Sequence, residues 1–392
     1  MFKLSFMTRT IWIVSIVSLF TDISSEMLYP VMPIYLKTIG FSVLLIGILE
    51  GFAEATAGLS KGYFGKLSDI TGKRLPFVQL GYFFSSLSKP MLAIFAYPVW
   101  IFMARFIDRL GKGLRTGARD ALLSAEASNE NKGKVFGFHR GMDTLGAAIG
   151  PILALVYLKY FPGEYQNLFM IAFLPAFLGV FFTCFIKEKK QNILTACDKN
   201  SKYNFLGYFS YWEQSTTSYK KLLIGFLAFT LFNSSDAFLL LMAKNQGIPD
   251  EQIIGVYIFY NMVYALFSYP AGCLADKIGM RYSFIIGLFL FILVYVGMAF
   301  MHNLELLYIL FFLYGLYACT SEGISKAWIA KITPCNETGT AIGLYASISS
   351  IFTLLASSIA GLLWVIFNPS VPFIVSASGV FLVIMYFVII KN

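Results

Sequence analysis

The stretch Gly65-Lys66-Leu67-Ser68-Asp69-Ile70-Thr71-Gly72-Lys73-Arg74 and its echo Gly272-Cys273-Leu274-Ala275-Asp276-Lys277-Ile278-Gly279-Met280-Arg281 decide how this chain is read. Both follow the pattern G-x-L-x-D-x-x-G-x-R, and the second begins 207 residues after the first. Gly117, Ala121, Gly133 and Gly137 return at an offset of 206 as Gly323, Ala327, Gly339 and Gly343. A repeat at about half the length of a 392-residue chain marks two copies of one structural unit.

Around these loops the chain is too apolar for water. Hydrophobic residues make up 58% and charged residues 13%, with 40 Phe and 23 Tyr. Soluble domains carry about 25% charged residues, which excludes that class. Apolar runs bounded by charges or turn residues fall near 10–36, 43–65, 76–97, 98–120, 134–158, 167–186, 222–243, 252–274, 282–301, 305–327, 339–367 and 371–390. At about 20 residues per span, twelve spans use about 240 residues and leave no room for a large soluble domain. The first run meets Asp22 and Glu26 and has no small-residue cleavage site, so a retained helix is expected rather than a signal peptide.

The net charge of +9 raises the question of nucleic acid, but its placement points to a membrane surface. With the N-terminus inside, the inner segments hold twenty-two Lys and Arg, whereas the outer loops hold only Lys37, Lys159 and Lys244. This bias places both termini in the cytoplasm, with the basic residues beside anionic headgroups and no nucleic-acid partner. Five Cys, an odd number without C-x-x-C spacing, indicate neither a disulfide framework nor a metal site. The loop 187–221 separates a bundle at 1–186 from a bundle at 222–392. Its run Tyr203, Phe205, Tyr208, Phe209, Tyr211, Trp212 predicts an amphipathic segment on the inner leaflet. Two parallel repeats joined in this way are the plan of a rocking transporter.

The repeated G-x-L-x-D-x-x-G-x-R string resembles the signature loop of the major facilitator superfamily, and the resemblance covers essentially the whole chain. It implies an all-α membrane protein with twelve transmembrane helices in two six-helix pseudo-symmetric bundles. It further implies that Asp69 lies near the start of the eleventh helix and helps hold an outward-facing state. Gly65, Asp69, Gly72 and Arg74, with Gly272, Asp276, Gly279 and Arg281, are therefore the expected gate residues. A carboxylate beside a helix N-terminus gains up to about 1–2 kcal/mol. Gly146-x-x-x-Gly150-Pro151 is similar to the core of the antiporter motif of drug–proton exporters, although Leu153-Ala154 stand where that motif has paired glycines. Small-residue helix packing is the other reading of the same string. Arg105 sits where exporters carry a buried Arg, but Asp108-Arg109 depart from their pattern. The strings around Ser25-Glu26 and Arg115–Asp120 look like a bacterial subgroup near the drug–proton antiporters.

Ionisable residues inside spans are functional candidates by default. Asp22 and Glu26 share a helical face one turn apart, and two carboxylates at that spacing disfavour double ionisation, as a proton-coupling site requires. The alternative is that they pair with basic residues of the fourth span and only hold the bundle together. In that span Arg105, Asp108, Arg109, Lys112, Arg115, Arg119 and Asp120 fall on one stripe that cannot face lipid. In the resembled fold the first and fourth helices line the cavity, which sets Arg105, Asp108 and Arg109 opposite Asp22 and Glu26. The excess of Arg suggests an anionic or zwitterionic substrate. Arg140 and Asp143 are one turn apart beside His139 and form an inner gate or a static ion pair, while Glu50 and Glu54 share a face of the second span. In the second half the candidates are Asn233, Asp236, Tyr314 and Tyr317, with Glu322 and Lys326 as an i, i+4 pair.

Gly111-Lys112-Gly113 lacks the spacing of a phosphate loop, and neither HExxH nor GxSxG occurs, so an ATP-driven pump and a membrane enzyme are not expected. A channel needs no duplicated gate loops. The resulting expectation is a monomeric, multi-pass carrier of the cell inner membrane, energised by the proton gradient without a cofactor. Export of amphiphilic drugs by proton antiport is the first reading. Import of an organic anion or siderophore is the second, and a substrate-sensing receptor on a transporter scaffold the third.

Overall fold

Helix, and no strand among the described residues, makes up the computed structural model, which describes residues 7–188 and 205–390. Thr8 caps α1 (Arg9–Leu28) by accepting from Ile11 N at 3.3 Å; Tyr29-Pro30 then interrupts the chain before α2 (Met32–Thr38). Ser42 caps α3 (Val43–Thr71), which ends at Gly72 in the left-handed region, φ +62°. There follow α4 (Leu75–Ile94), α5 (Pro98–Glu126), α6 (Lys132–Tyr160) and α7 (Tyr165–Thr183). A 3₁₀ turn (Gly207–Ser210) and the single-turn α8 (Tyr211–Gln214) precede α9 (Thr217–Phe232) and α10 (Ala237–Asn245). The chain finishes with α11 (Asp250–Ile278), α12 (Met280–Ala299), α13 (Leu304–Ile332), α14 (Thr338–Ile366) and α15 (Val371–Ile389).

Among the described residues, nine helical segments are long and apolar enough to cross a membrane, one of them the stretch Thr217–Asn245 that spans α9 and α10. The nine do not include α5, whose face carries Arg105, Asp108, Arg109, Arg115, Arg119 and Asp120, all of them buried. Elsewhere large apolar side chains such as Leu266, Leu354 and Val365 are exposed, as a chain solvated by lipid requires.

The chain divides into two compact units. The first takes Met1–Ser128, Met142–Gln214 and Thr333–Ser347; the second takes Asn129–Gly141, Ser215–Ile332 and Ile348–Asn392. Within the first, α1, α2 and α7 enclose an apolar cluster around Met27, Leu28, Tyr35 and Phe169, where the Tyr35 and Phe169 rings meet edge to face at 4.9 Å. Its linker part is also packed against protein: Tyr208 is fully buried over Gly62, and its hydroxyl bonds Ser347 Oγ at 2.7 Å. Lys66 Nζ, one turn on from Gly62, donates to Gly207 O at 2.8 Å, so α3 holds the turn at a second point. Tyr203 lies outside the described residues. Within the second unit, Phe226, Phe284, Trp328 and Phe387 form one ring cluster between α9, α12, α13 and α15.

Helices among lipid tails gain nothing from burying apolar surface against each other, so close backbone approach supplies the contact. At the α4–α5 crossing, a Cβ on Gly81 would lie 2.7 Å from Gly111 O, and one on Gly111 would lie 2.6 Å from Gly81 O. Gly81→Val is therefore expected to lower stability in detergent by about 1–3 kcal/mol, read as a fall in the unfolding midpoint. Gly51, with open space around its Cα, provides the control: Gly51→Ala should be neutral or stabilise by up to about 1 kcal/mol.

Candidate functional site

Four groups of polar side chains stand out against the apolar helices. The first is the repeated loop. Asp69, in the last turn of α3 and beyond the apolar run 43–65, accepts from Thr340 N at 2.6 Å and Thr340 Oγ1 at 2.9 Å. Thr340 is in the first turn of α14, whose leading amides have no partner within the helix. Arg74 lies 3.4 Å from Asp69, donates to Ala121 O at 3.0 Å and also bonds Cys335 O. Gly65 permits the approach, since a Cβ there would meet Gly339 O. Burial pushes the Asp69 carboxyl up to about 6, against the pull of Arg74 and the Thr340 donors. Burial also raises the Tyr208 hydroxyl, and it raises Tyr211, with the Glu337 carboxylate adding to the effect.

The second copy repeats the device on other partners. Asp276 accepts from Gly133 N and Lys134 N, each at 2.9 Å, in the first turn of α6. Gly272 allows it, since a Cβ there would meet Gly133 O. Gly279 turns at φ +98°, and Arg281 donates to Phe387 O and Val388 O, each at 2.6 Å, at the end of α15. Arg74 thus ties its loop to the carboxylate beside it, whereas Arg281 closes the carbonyl end of a helix.

The second group lies in the first unit, where α1 meets the later part of α6. The Asp22 and Asp143 carboxyl groups lie close enough to act on each other, and Glu26 and Lys112 also act on Asp22 electrostatically. Ser18 Oγ donates to Asp143 Oδ1 at 2.5 Å, Arg119 Nη1 reaches Ser18 Oγ at 3.1 Å, and Arg119 pairs with Asp120 at 3.1 Å and Asp143 at 3.9 Å. Gly146 and Gly150 make the approach possible: Cβ atoms would lie 2.5 Å from Leu19 O and 2.7 Å from Ile23 O. Pro151 follows them within α6. The expected partner of Asp22 was Glu26 on its own helix, with the fourth-span arginines opposite. The structure adds Asp143, from a helix that local spacing cannot bring near.

Deeper along α5, Asp108 Oδ1 pairs with Lys89 Nζ at 2.9 Å and Asp108 Oδ2 with Arg109 Nε at 3.9 Å; Arg109 Nη1 reaches Glu54 at 3.1 Å. Ser88 adds a 3.3 Å hydrogen bond to Asp108, and the Arg115 guanidinium lies 4.6 Å from the centre of the Tyr82 ring. Arg105 is buried on the same stripe. Lys89 was missed in the sequence because Ser and Leu surround it in an apolar run; a lone Lys inside a span was the available signal. The Glu50 side chain lies outside the described residues.

In the second unit, Tyr314 donates to Asp236 Oδ1 at 2.6 Å and Asn233 Nδ2 reaches Tyr317 Oη at 3.2 Å. The Tyr314 ring lies 5.2 Å from Tyr317 and 5.1 Å from Tyr260. Arg140 donates to Tyr264 Oη at 2.7 Å and pairs with Glu322, so Arg140 and Asp143, one turn apart, serve separate networks. Glu322 was matched in sequence to Lys326; Arg140 is the partner from another helix.

Two predictions test these groups. Asp69 binds its proton more tightly in the folded chain than in the unfolded one, so its stabilising contribution is fullest below about pH 4 and falls as pH rises through about 6. The stability advantage of wild type over Asp69→Asn should shrink by about 1–3 kcal/mol between pH 4 and 7; an advantage that grows with pH refutes the assignment. Lys89→Met leaves Asp108 with the Ser88 hydroxyl and with Arg109 at 3.9 Å and should cost about 3 kcal/mol, and Lys89→Met with Asp108→Leu should recover most of that loss.

The sequence pattern of the Major Facilitator Superfamily matches residues 14–199 and 222–391. The chain is 32% identical over 375 residues to an uncharacterized MFS-type transporter of Methanocaldococcus jannaschii, covering 94% of this chain and 91% of that protein. It is 22% identical over 366 residues to a multi-drug resistance efflux pump homologue of Lactococcus lactis, covering 90% and 87%. In fold it is similar to a human organic anion transporter, with a TM-score of 0.82 at 15% identity over 97% of this chain and 99% of the other.

Proposed function

Because the chain belongs to the Major Facilitator Superfamily, we propose that it is a proton-coupled secondary transporter that exports amphiphilic solutes in exchange for protons. The observation that carries this reading is the approach of the Asp22 and Asp143 carboxyl groups where Gly146 packs against α1. Two carboxyl groups this close are held together by sharing one proton, and Ser18 and Arg119, already in contact with Asp143, support its charge when that proton leaves. A site that holds or releases one internal proton has two discrete states, as coupling requires. Glu26, one turn from Asp22, serves as the second carboxylate of the relay. The efflux-pump relative supports the outward direction.

In this reading twelve spans form two bundles, 1–186 and 222–392, with both termini in the cytoplasm of a cell whose inner membrane holds the protein as a monomer. Alternating access rocks one bundle against the other. The Asp69–Thr340 and Asp276–Gly133 bonds are the gate contacts that break and re-form. Asp236, Asn233, Tyr314 and Tyr317 contribute to the substrate surface.

A second reading, transport of an organic anion, is favoured by one observation. Lys89, Arg105 and Arg109 outnumber Asp108 and Glu54 where α3 and α4 pack on α5, and guanidinium groups bind carboxylates bidentately.

The test uses protein reconstituted in proteoliposomes with an imposed pH gradient. Wild type should move a lipophilic cation such as ethidium faster with the gradient than without it. Asp22→Asn and Asp143→Asn should each lower the gradient-driven rate at least tenfold while the chain still binds ethidium. Gradient-driven transport that survives both substitutions sinks proton coupling at this site. Transport of an anion abolished by Arg105→Ala, with no ethidium movement in wild type, selects the second reading.

A further inference from the structure

The span Thr217–Asn245 is broken in its middle. α9 stops at Phe232, the four residues Asn233-Ser234-Ser235-Asp236 leave the helical path, and α10 starts at Ala237. Interrupting a helix among apolar neighbours strips backbone groups of their partners where water cannot replace them. Such breaks persist where they line a site.

The repair at this break is one-sided. Asn233 N reaches Thr230 O at 3.2 Å, Ser235 N takes Ser357 Oγ at 3.1 Å, and Ala237 N takes Ser235 Oγ at 3.3 Å. The oxygens are not met in the same way. Among the described residues, the carbonyls of Leu231, Phe232, Asn233 and Ser234 receive no backbone N–H, and the buried Asn233 Oδ1 has no donor. Asp236 occupies the N-cap position of α10, yet its side chain makes no cap and instead accepts the Tyr314 hydroxyl. The surplus at the break is therefore of acceptor oxygens, at the negative end of the α9 dipole.

We propose that this break is a binding site for one monovalent cation, held by Asp236, Asn233 Oδ1 and the freed carbonyls. One carboxylate matches one positive charge, whereas the divalent ions held by oxygen ligands commonly draw on several. Tyr314, whose hydroxyl is bonded to Asp236, lies against the Tyr260 and Tyr317 rings, so aromatic groups of the kind that favour a dehydrated cation border the break. The occupant is a sodium ion or the ammonium head of a substrate, which share this chemistry. Arg140 and Glu322 both act on Asp236, but they are paired with each other, and Arg140 is also bonded to Tyr264, so the pair brings no net charge to the break. The site does not depend on the proton-coupling proposal, since binding is measured without transport.

The purified full chain in detergent is titrated at fixed ionic strength, with its unfolding midpoint as the readout. One series replaces choline chloride by sodium chloride. The other adds phenethylammonium chloride, with phenethyl alcohol as the uncharged control. A saturable rise with sodium assigns an ion site, and one with phenethylammonium but not its alcohol assigns a substrate head. A rise with both, each weakening the other's effect, assigns one site used by both. In each case Asp236→Asn and Asn233→Ala should weaken the apparent affinity at least tenfold, with Asp236→Glu closer to wild type. The proposal is overturned if neither cation gives a saturable rise in wild type. It is equally overturned if Asn233→Ala and Asp236→Asn, folded in choline chloride, respond as wild type does. Should Asp236→Asn fail to fold, the wild-type titrations and Asn233→Ala still decide.

Discussion

A charge among apolar helices is tolerable only where another helix brings an opposite charge or a hydrogen-bond donor within reach, and this constraint organises the polar interior. Asp108 on α5 is held by Lys89 from α4 and by Arg109 on its own helix, while Arg109 extends the chain of charges to Glu54 on α3. Three helices that could otherwise slide past one another are pinned in one register. The glycines beside these pairs share the task. Gly81 and Gly111 bring the α4 and α5 backbones together, and Gly146 and Gly150 do so for α1 and α6, which sets Asp143 beside Asp22. In the second case the close packing expected of a small-residue string is what brings the two carboxyl groups together.

The repeated loops meet the same constraint with backbone rather than side-chain partners. Asp69 and Asp276 each satisfy amides at the start of a long helix, α14 and α6, whose first turns carry unmatched donors and the positive end of the dipole. The two loops share this contact and differ in its surroundings. Arg74 closes onto Asp69, whereas Arg281 reaches carbonyls at the end of α15. Charge chemistry is correspondingly uneven. The first unit carries arginine, lysine and carboxylate networks, and the second carries a tyrosine ladder with Asp236 and Asn233 at a broken helix.

Sequence patterning made the helices, the repeat and the buried stripe of α5 readable. Apolar runs of span length and a charge arc at helical spacing are local properties of the chain. It also indicated Asp22, Asp143, Arg140 and Asp236 as candidates, since each is an ionisable group in an apolar run. Their pairing was not readable. Arg140 and Asp143 are one turn apart, yet the first meets Tyr264 and Glu322 and the second meets Asp22, Ser18 and Arg119. Lys89 escaped notice for the related reason that its partner lies on the next helix. The break at 233–236 carries no Pro or Gly, and polar residues in a span read equally well as a continuous helix.

What the sequence by itself determined is the family of solutions: an all-helical chain solvated by lipid, built from two related halves, with its charges confined to a few faces. Composition and periodicity settle this, because the low dielectric of a bilayer leaves a polypeptide little choice but to close its own backbone hydrogen bonds. Only the tertiary structure decided which charges meet, where a carboxyl finds another carboxyl, and where a helix gives up its hydrogen bonds. Those outcomes depend on distances of a few ångströms between helices far apart in sequence. Such distances are set by glycine contacts and competing ion pairs acting together, and no local pattern of residues records them.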